Sequence, residues 1–216
     1  MDIIKSHLNV FAILASVFVA GIIILISGIV SFCEYSSPTD IYNVSYKEYL
    51  IEDIPVKGDV WCVEACFAET ENYGYALIPA VDESTFIEDE VLKFVVLCYD
   101  KSRKDDFSAM ADYWNGITDT VPADISFSGI ISKTDDSSVS HAVYEYFELE
   151  YGFSHEETDQ YYLPYVITEI DSFAYAYLPK IIVGAVFMAL SVILFIFMKI
   201  RFSRKDNEFT LNDIPQ

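Results

Sequence analysis

The chain has 216 residues, 53% of them hydrophobic, and its 34 Asp and Glu against 13 Lys and Arg give a formal net charge of −21. This charge argues against nucleic acid as a partner, because binding to phosphates requires cationic groups that displace counterions. Residues 33–178 contain 30 of the 34 acidic residues, which also argues against electrostatic docking of this segment on anionic lipid, because such docking needs clusters of Lys or Arg.

The first predicted element is a transmembrane helix at residues 8–32, after a cytoplasmic N-terminus at residues 1–7. This segment contains no Lys, Arg, Asp, Glu or His. It exceeds the ~20 residues that a helix needs to cross the hydrocarbon core of a bilayer. A cleaved signal peptide is the weaker alternative, because its apolar core usually has about 7–15 residues. We therefore expect a retained anchor.

The segment at residues 33–177 is predicted to be an acidic extracytoplasmic domain. Residues 33–178 contain 30 Asp and Glu but seven Lys and Arg, a net charge of −23. We interpret this charge as a solvated acidic surface, with cationic ligands or divalent ions as the alternatives. Tyr-rich connectors flank the domain, and their rings suit either the lipid headgroup region or packing beneath the domain.

Four strands are predicted in this domain, at residues 59–68, 75–79, 91–99 and 124–131. Residues 91–99 are nearly all apolar, with many β-branched and aromatic side chains, which is typical of a strand covered on both faces. This strand should therefore be central. In the fourth strand, Gly129 suggests a bulge.

Two helices are also predicted there. The first has Asp105 or Asp106 as its N-cap and stops at Gly116, with an apolar stripe formed by Phe107, Met110, Ala111 and Trp114. The second is capped by residues 135–138 and stops at Gly152. The sequence thus predicts an α+β fold, with a mixed sheet of at least four strands plus two helices between two transmembrane helices.

Three short apolar motifs suggest a relationship to other proteins: residues 75–79 (YALIP), 127–131 (FSGII) and 163–165 (LPY). With this layout, the chain resembles uncharacterised two-span membrane proteins of low-GC Gram-positive bacteria. The resemblance implies an α+β domain of unknown function between the spans. It implies no activity.

The second transmembrane helix is predicted at residues 178–198, followed by a basic tail at residues 199–216. Four cations follow this helix within seven residues: Lys199, Arg201, Arg204 and Lys205. Cytoplasmic loops carry an excess of Lys and Arg near the span ends, and Lys5 precedes the first span. We therefore expect both termini in the cytoplasm and the domain outside the plasma membrane.

His141, Glu145 and Glu148 form the best candidate metal set in the sequence. Their i, i+4, i+7 spacing places them along one face of the second predicted helix. An imidazole and two carboxylates are ligands for zinc or iron, but a metal site needs further ligands from elsewhere. A solvated polar face is the stronger interpretation. His155 and Glu156 resemble part of a zinc-protease motif, without the helical apolar pattern that such a motif needs.

The four cysteines are too few to be the disulfide framework of so large a domain. Cys62 and Cys66 are predicted to share one strand and one face, and a disulfide from Cys98 to either of them is an alternative to buried free thiols. Cys33 directly follows the first span. Neither a CxxC motif nor a four-ligand zinc set occurs.

The sequence predicts a membrane-anchored binding, sensor or accessory module without catalytic activity. Phosphate-binding glycine loops are missing from the sequence, and no cofactor is predicted. Ala12, Ser16 and Ala20 put small residues on one face of the first span, where the second span or a copy of the chain could approach closely, although such spacing also arises by chance. A membrane protein partner or a homo-oligomer is the expected kind of assembly. The alternatives are a metal-assisted ectohydrolase and a non-pore subunit of a transport or secretion complex.

Overall fold

The computed structural model describes residues 2–44, 53–83, 91–134 and 138–212, with side chains placed between residues 10 and 201 of these ranges. The chain divides into two compact units. One consists of Met1–Ser36 with Phe173–Gln216, and the other is Ser37–Ser172. The first unit is a helix pair and the second is an α+β domain.

The helix pair consists of α1 (Asp2–Tyr35) and α5 (Ala174–Asn212). Both contain a segment long and apolar enough to cross a membrane, at Val10–Tyr35 and Ala174–Arg201. These segments overlap the spans predicted from the sequence. The basic tail continues α5 as far as Asn212.

Glycines bring the two helices into backbone contact. A Cβ atom built on Gly184 would lie 2.6 Å from the backbone nitrogen of Leu25 and 2.9 Å from the carbonyl oxygen of Gly21. A Cβ on Gly28 would lie 2.9 Å from the backbone nitrogen of Ile181. Close approach of this kind is how helices associate in lipid, where no hydrophobic force drives them together. Glycine is therefore required along this seam.

The helix seam differs from the small-residue face suggested by the sequence. Ala12 and Ser16 are exposed, whereas Gly21 and Gly28 are buried against α5. Of the possibilities that the sequence leaves open, α5 therefore packs on the glycine face of α1 and not on the face of Ala12 and Ser16. Near the end of the seam, Lys180 Nζ donates a hydrogen bond of 3.0 Å to Ser31 Oγ.

Among the described residues, the domain contains a seven-stranded mixed sheet, which confirms the predicted α+β class. The strands are β1 (Thr39–Asp40), β2 (Ile54–Val60), β3 (Ala65–Glu69), β4 (Tyr73–Pro79), β5 (Phe94–Asp100), β6 (Ile125–Lys133) and β7 (Tyr162–Glu169). Their order is β1-β2-β6-β7-β5-β4-β3. The pairs β1–β2 and β5–β7 are parallel, and the other neighbours are antiparallel.

Helices cover both faces of this sheet. On one face, α2 (Lys104–Trp114) contributes Phe107, Met110 and Ala111 to the larger core cluster. On the other, α3 (Ser138–Tyr151) contributes Val143 and Phe147, with α4 (His155–Tyr161) beside it. Strand β5 lies inside the sheet and sends buried side chains into both clusters, so its predicted central position is confirmed.

Several predicted boundaries and caps differ in the structure. The stretch 59–68 is not one strand, because β2 ends at Val60 and β3 begins at Ala65. Asp105 and Asp106 lie in the first turn of α2, and Arg103 occupies its N-cap without a capping side chain. Negative charge in a first turn still complements the helix dipole. The predicted cap of α3 falls mostly on residues 135–137, outside the described residues.

The predicted helix stops are confirmed, and the predicted bulge is not. Gly116 and Gly152 have φ angles of 67° and 71°, the left-handed conformation that favours glycine at a helix end. At Gly129 the pairing with both neighbouring strands continues without a register shift. A Cβ there would lie 2.5 Å from the carbonyl oxygen of Thr168, so this glycine permits close approach of β7.

Candidate functional site

The α+β domain has a small cavity between the β3–β4 hairpin and α3. Its volume is about 130 Å³. The lining residues are Phe67, Ala68, Glu69, Thr70, Tyr75, Ser138, Val139 and Ala142. Aromatic and aliphatic side chains thus form its interior, and a carboxylate, two aliphatic hydroxyls and the phenol of Tyr75 contribute polar groups.

A register shift in the hairpin positions the aromatic part of the cavity. The pairing of β3 with β4 shifts between Cys66 and Ala68. Such a bulge re-aims a side chain, and here the Phe67 ring packs against the core cluster on the α3 side. Its centroid is 6.4 Å from that of Tyr75 and 6.3 Å from that of Tyr146.

Hydrogen bonds at both ends of α3 attach the helix to the residue that follows β6 and to the residue that precedes β3. Near its start, Ser140 Oγ donates to the carbonyl oxygen of Thr134 at 2.6 Å, in a buried position. Near its end, the hydroxyls of Tyr146 and Tyr151 donate to the Glu64 carboxylate. Burial raises the pKa of both phenols, and the carboxylate beside them raises it further, so both remain protonated donors.

Lysine side chains compensate the charge of the cavity carboxylate. Lys104 Nζ lies 3.1 Å and Lys101 Nζ 3.4 Å from Glu69 Oε2. The hydrogen bonds from Lys104 and then Lys101 lower the pKa of this carboxyl group. Tyr75 contributes a phenol whose pKa is raised by burial and by Cys98. The cavity can therefore hold a small, largely apolar group whose edge carries hydrogen-bonding atoms.

A second polar cluster joins the start of α2 to strands β6 and β7. Arg103 donates to the Glu169 carboxylate and, through Nη2, to the carbonyl oxygen of Ser126 at 3.1 Å. Its guanidinium carbon is 5.4 Å from the centroid of the Phe107 ring. Burial raises the pKa of the Glu169 carboxyl group, and Arg103 counteracts part of this shift. The cluster connects β6, β7 and α2, which is a structural role.

The candidate metal residues lie where the sequence places them, on one face of α3. His141, Glu145 and Glu148 are all exposed. Within the described residues, no three His, Cys, Asp or Glu side chains are placed to hold a metal ion together. Exposure of all three side chains is what a solvated polar face requires.

The segment after α3 is a helix that the sequence interpretation missed. Ser154 and Glu157 form a reciprocal capping box at the start of α4, a spacing that is visible in the sequence. The His155 ring stacks on Tyr144 with centroids 4.4 Å apart. The Tyr144 hydroxyl donates to Asp159 at 2.7 Å. His155 is thus part of the packing between α3 and α4.

All four cysteines are free thiols. Cys62 lies in the connection between β2 and β3, so its predicted place on a strand shared with Cys66 is wrong. Cys66 packs against the core cluster on the α2 side, whereas Cys98 hydrogen-bonds Tyr75 on the α3 side. Cys66 and Cys98 therefore face opposite sides of the sheet and cannot form a disulfide without rearrangement.

We expect the three domain thiols to react slowly with a maleimide at neutral pH. Burial raises the pKa of Cys62 to about 12 and raises those of Cys66 and Cys98, so little nucleophilic thiolate forms. Mass spectrometry of the labelled full chain should show these three sites largely unmodified in the folded protein and modified once the chain has been denatured. Exposed Cys33 is the internal control. Rapid labelling of Cys62 in the folded protein would contradict this expectation.

Comparison with known proteins finds no protein family whose model matches this chain and no curated protein that is significantly similar to it.

Proposed function

We propose that this protein is a two-span membrane protein whose acidic α+β domain binds a ligand or partner outside the cytoplasm, as a sensor or accessory subunit. The packing of α1 against α5 carries this proposal. Two apolar segments that make backbone contact through Gly21, Gly28 and Gly184 are suited to cross a bilayer as a pair. The chain between them forms a separate compact domain.

The proposed orientation rests on the cations that follow the second apolar segment. Lys199, Arg201, Arg204 and Lys205 favour a cytoplasmic C-terminus, with Lys5 at the other end of the pair. In bacterial spheroplasts, added protease should degrade the domain and leave a tag after Gln216 intact until the membrane is permeabilised. Digestion of the tag in intact spheroplasts would reverse the proposed orientation.

The proposed binding surface includes the cavity between the β3–β4 hairpin and α3. A photo-crosslinking amino acid at Thr70, which is exposed on the cavity wall, should capture a specific partner in native membranes. The same amino acid at Val121, which is 74% exposed elsewhere on the domain, is the matched control. Filling the cavity with Ala142→Phe should abolish capture at position 70. Equal capture at positions 70 and 121 would count against this surface.

The crosslinking experiment also addresses the alternatives. A transport or secretion complex would yield membrane proteins as the captured partners, and these would be recovered after detergent extraction. A metal-assisted ectohydrolase would require His141, Glu145 or His155 to converge with other ligands, and the described residues give that hypothesis no geometric support. We therefore favour binding over catalysis.

A further inference from the structure

Strand β3 forms one edge of the sheet. The strand order ends at β3, so among the described residues this strand pairs with β4 alone. The pairing extends to Glu64 and Thr70, whose backbone nitrogens donate to the carbonyl oxygens of Leu77 and Tyr73 at 2.9 and 2.8 Å. An edge strand presents a row of backbone N–H and C=O groups on its open side, with the spacing that pairs with another extended chain.

Side chains hydrogen-bond the two ends of this edge and leave its centre open. Asn115 Nδ2 donates to the carbonyl oxygen of Glu64 at 3.1 Å, and Lys101 Nζ donates to that of Thr70 at 2.9 Å. Between these ends, no side chain in the described part of the chain hydrogen-bonds the backbone of residues 65–69. The bulge leaves Phe67 without a partner residue on β4. The strand also contains neither Lys nor Pro, which commonly protect an edge from pairing.

The cavity described above adjoins this edge. One of its walls consists of β3 residues and the turn that follows, and the opposite wall is α3. Successive side chains of a strand point to opposite faces of the sheet. In a strand added beside β3, alternate side chains would therefore point to the α3 face, where the volume of about 130 Å³ can hold an apolar side chain.

The end of the edge near Glu64 carries negative charge. Burial raises the pKa of the Cys66 thiol, and the nearby Asp112 carboxylate of α2 adds to this increase. Burial likewise raises the pKa of Tyr146, with contributions from Glu64 and then Glu150. None of the ion pairs among the described residues includes these three carboxylates, whereas the carboxylate at the other end of β3 is paired with two lysines. Charge complementarity therefore favours an occupant with a cation near Glu64.

We propose that β3 binds an extended, basic segment of a partner protein by strand addition. The proposal rests on the binding role proposed above and names the class of partner. The backbone of the segment pairs with the open edge, an apolar side chain enters the cavity, and a Lys or Arg side chain lies beside Glu64. A second copy of the chain is disfavoured, because two domains that each carry a net charge of −23 over residues 33–178 repel one another.

Fluorescence anisotropy of a labelled peptide mixed with the full chain in detergent tests this proposal. The probe is a blocked peptide of alternating valine and threonine that ends in two arginines. We expect saturable binding that weakens as salt is added. The same peptide ending in two glutamates should bind at least about tenfold more weakly, and so should the arginine peptide with all backbone amides N-methylated, because it cannot donate to the edge.

Charge reversal beside the edge locates the bound peptide. Asp112→Lys should weaken binding of the arginine peptide about fivefold or more and strengthen binding of the glutamate peptide. Glu148→Lys makes the same change of charge at an exposed position of α3, about 200° around the helix from Tyr146, whose ring packs near Phe67. This control should change the affinity less than about twofold. Circular dichroism of both variants confirms that they are folded.

Each other outcome overturns strand addition. Equal binding of the N-methylated peptide would mean that no backbone pairing occurs, and equal loss in Asp112→Lys and Glu148→Lys would mean that the peptide follows the overall charge. A dimer of the full chain that excludes the peptide would mean that a second copy occupies the edge. Failure of the arginine peptide to bind, with specific capture at position 70 in the crosslinking experiment, overturns strand addition alone. Failure of both experiments overturns the proposed binding surface as well.

Discussion

Replacing Phe107 by Ala is expected to lower the free energy of unfolding of the α+β domain by about 3–5 kcal/mol. The Phe107 side chain is fully buried in the larger core cluster. Its ring stacks on Tyr99 with centroids 4.0 Å apart, and Arg103 lies over it. Truncation removes these contacts and leaves a cavity that the surrounding strands can fill only partly.

Denaturant unfolding followed by intrinsic fluorescence measures this loss in the full chain. Both tryptophans of the protein, Trp61 and Trp114, lie in the domain, so the signal reports on the domain and not on the helix pair. Val121→Ala removes methyl groups from an exposed side chain and should change stability by less than about 0.5 kcal/mol. A loss below about 1 kcal/mol in Phe107→Ala would show that α2 is not an essential part of the core.

Replacing Gly184 by Leu is expected to separate α1 from α5, at a cost of about 1–3 kcal/mol in helix association. The new side chain would begin 2.6 Å from the backbone nitrogen of Leu25 and 2.9 Å from the carbonyl oxygen of Gly21. These are backbone atoms of the other helix, so a change of side-chain rotamer cannot relieve the overlap. The helices must move apart.

Crosslinking measures the separation. With Cys33→Ser, cysteines that replace Phe11 and Phe195 can be joined by a short bismaleimide, because the rings at these positions are 5.5 Å apart. After proteolysis of the domain, the crosslinked helices migrate as one band. Val183→Leu adds bulk at a position that is 42% exposed and should leave the yield unchanged. Undiminished crosslinking in Gly184→Leu would disprove the importance of the glycine seam.

The elements with a strong local pattern were predictable from the sequence. Strand β5 is a continuous apolar run, and α2 has an apolar stripe followed by Gly116 at its end. Strand β7 was not recognised, because its tyrosines suited the lipid headgroup region as well as packing beneath the domain. In the structure Tyr162 and Tyr165 are buried in the domain, and the β5–β7 pairing shifts register between Phe94 and Val96. Tertiary packing thus determined the secondary structure of this segment, for which the sequence pattern was ambiguous.

The candidate cavity was not predictable, because its two walls are distant in sequence. Residues 67–75 form one wall and residues 138–142 form the other. The sequence shows that α3 is amphipathic, but not which hairpin it covers. The bulge at Phe67 contains no glycine that would indicate it in the sequence. The hydrogen bonds from Tyr146 and Tyr151 to Glu64 join positions more than 80 residues apart, so no local pattern predicts them.

The place of β7 in the sheet has a consequence for biosynthesis. It is the last strand to be synthesised, yet it pairs with both β6 and β5 in the interior of the sheet. Until residue 169 has left the ribosome, β1-β2-β6 and β5-β4-β3 are two separate ribbons with open edges, which are prone to aggregation. Helix α5 begins at Ala174, shortly after β7 ends at Glu169. The strand that completes the sheet and the apolar segment that follows it therefore leave the ribosome almost together. A ribosome that stalls just before β7 would leave a chain with two unpaired half-sheets.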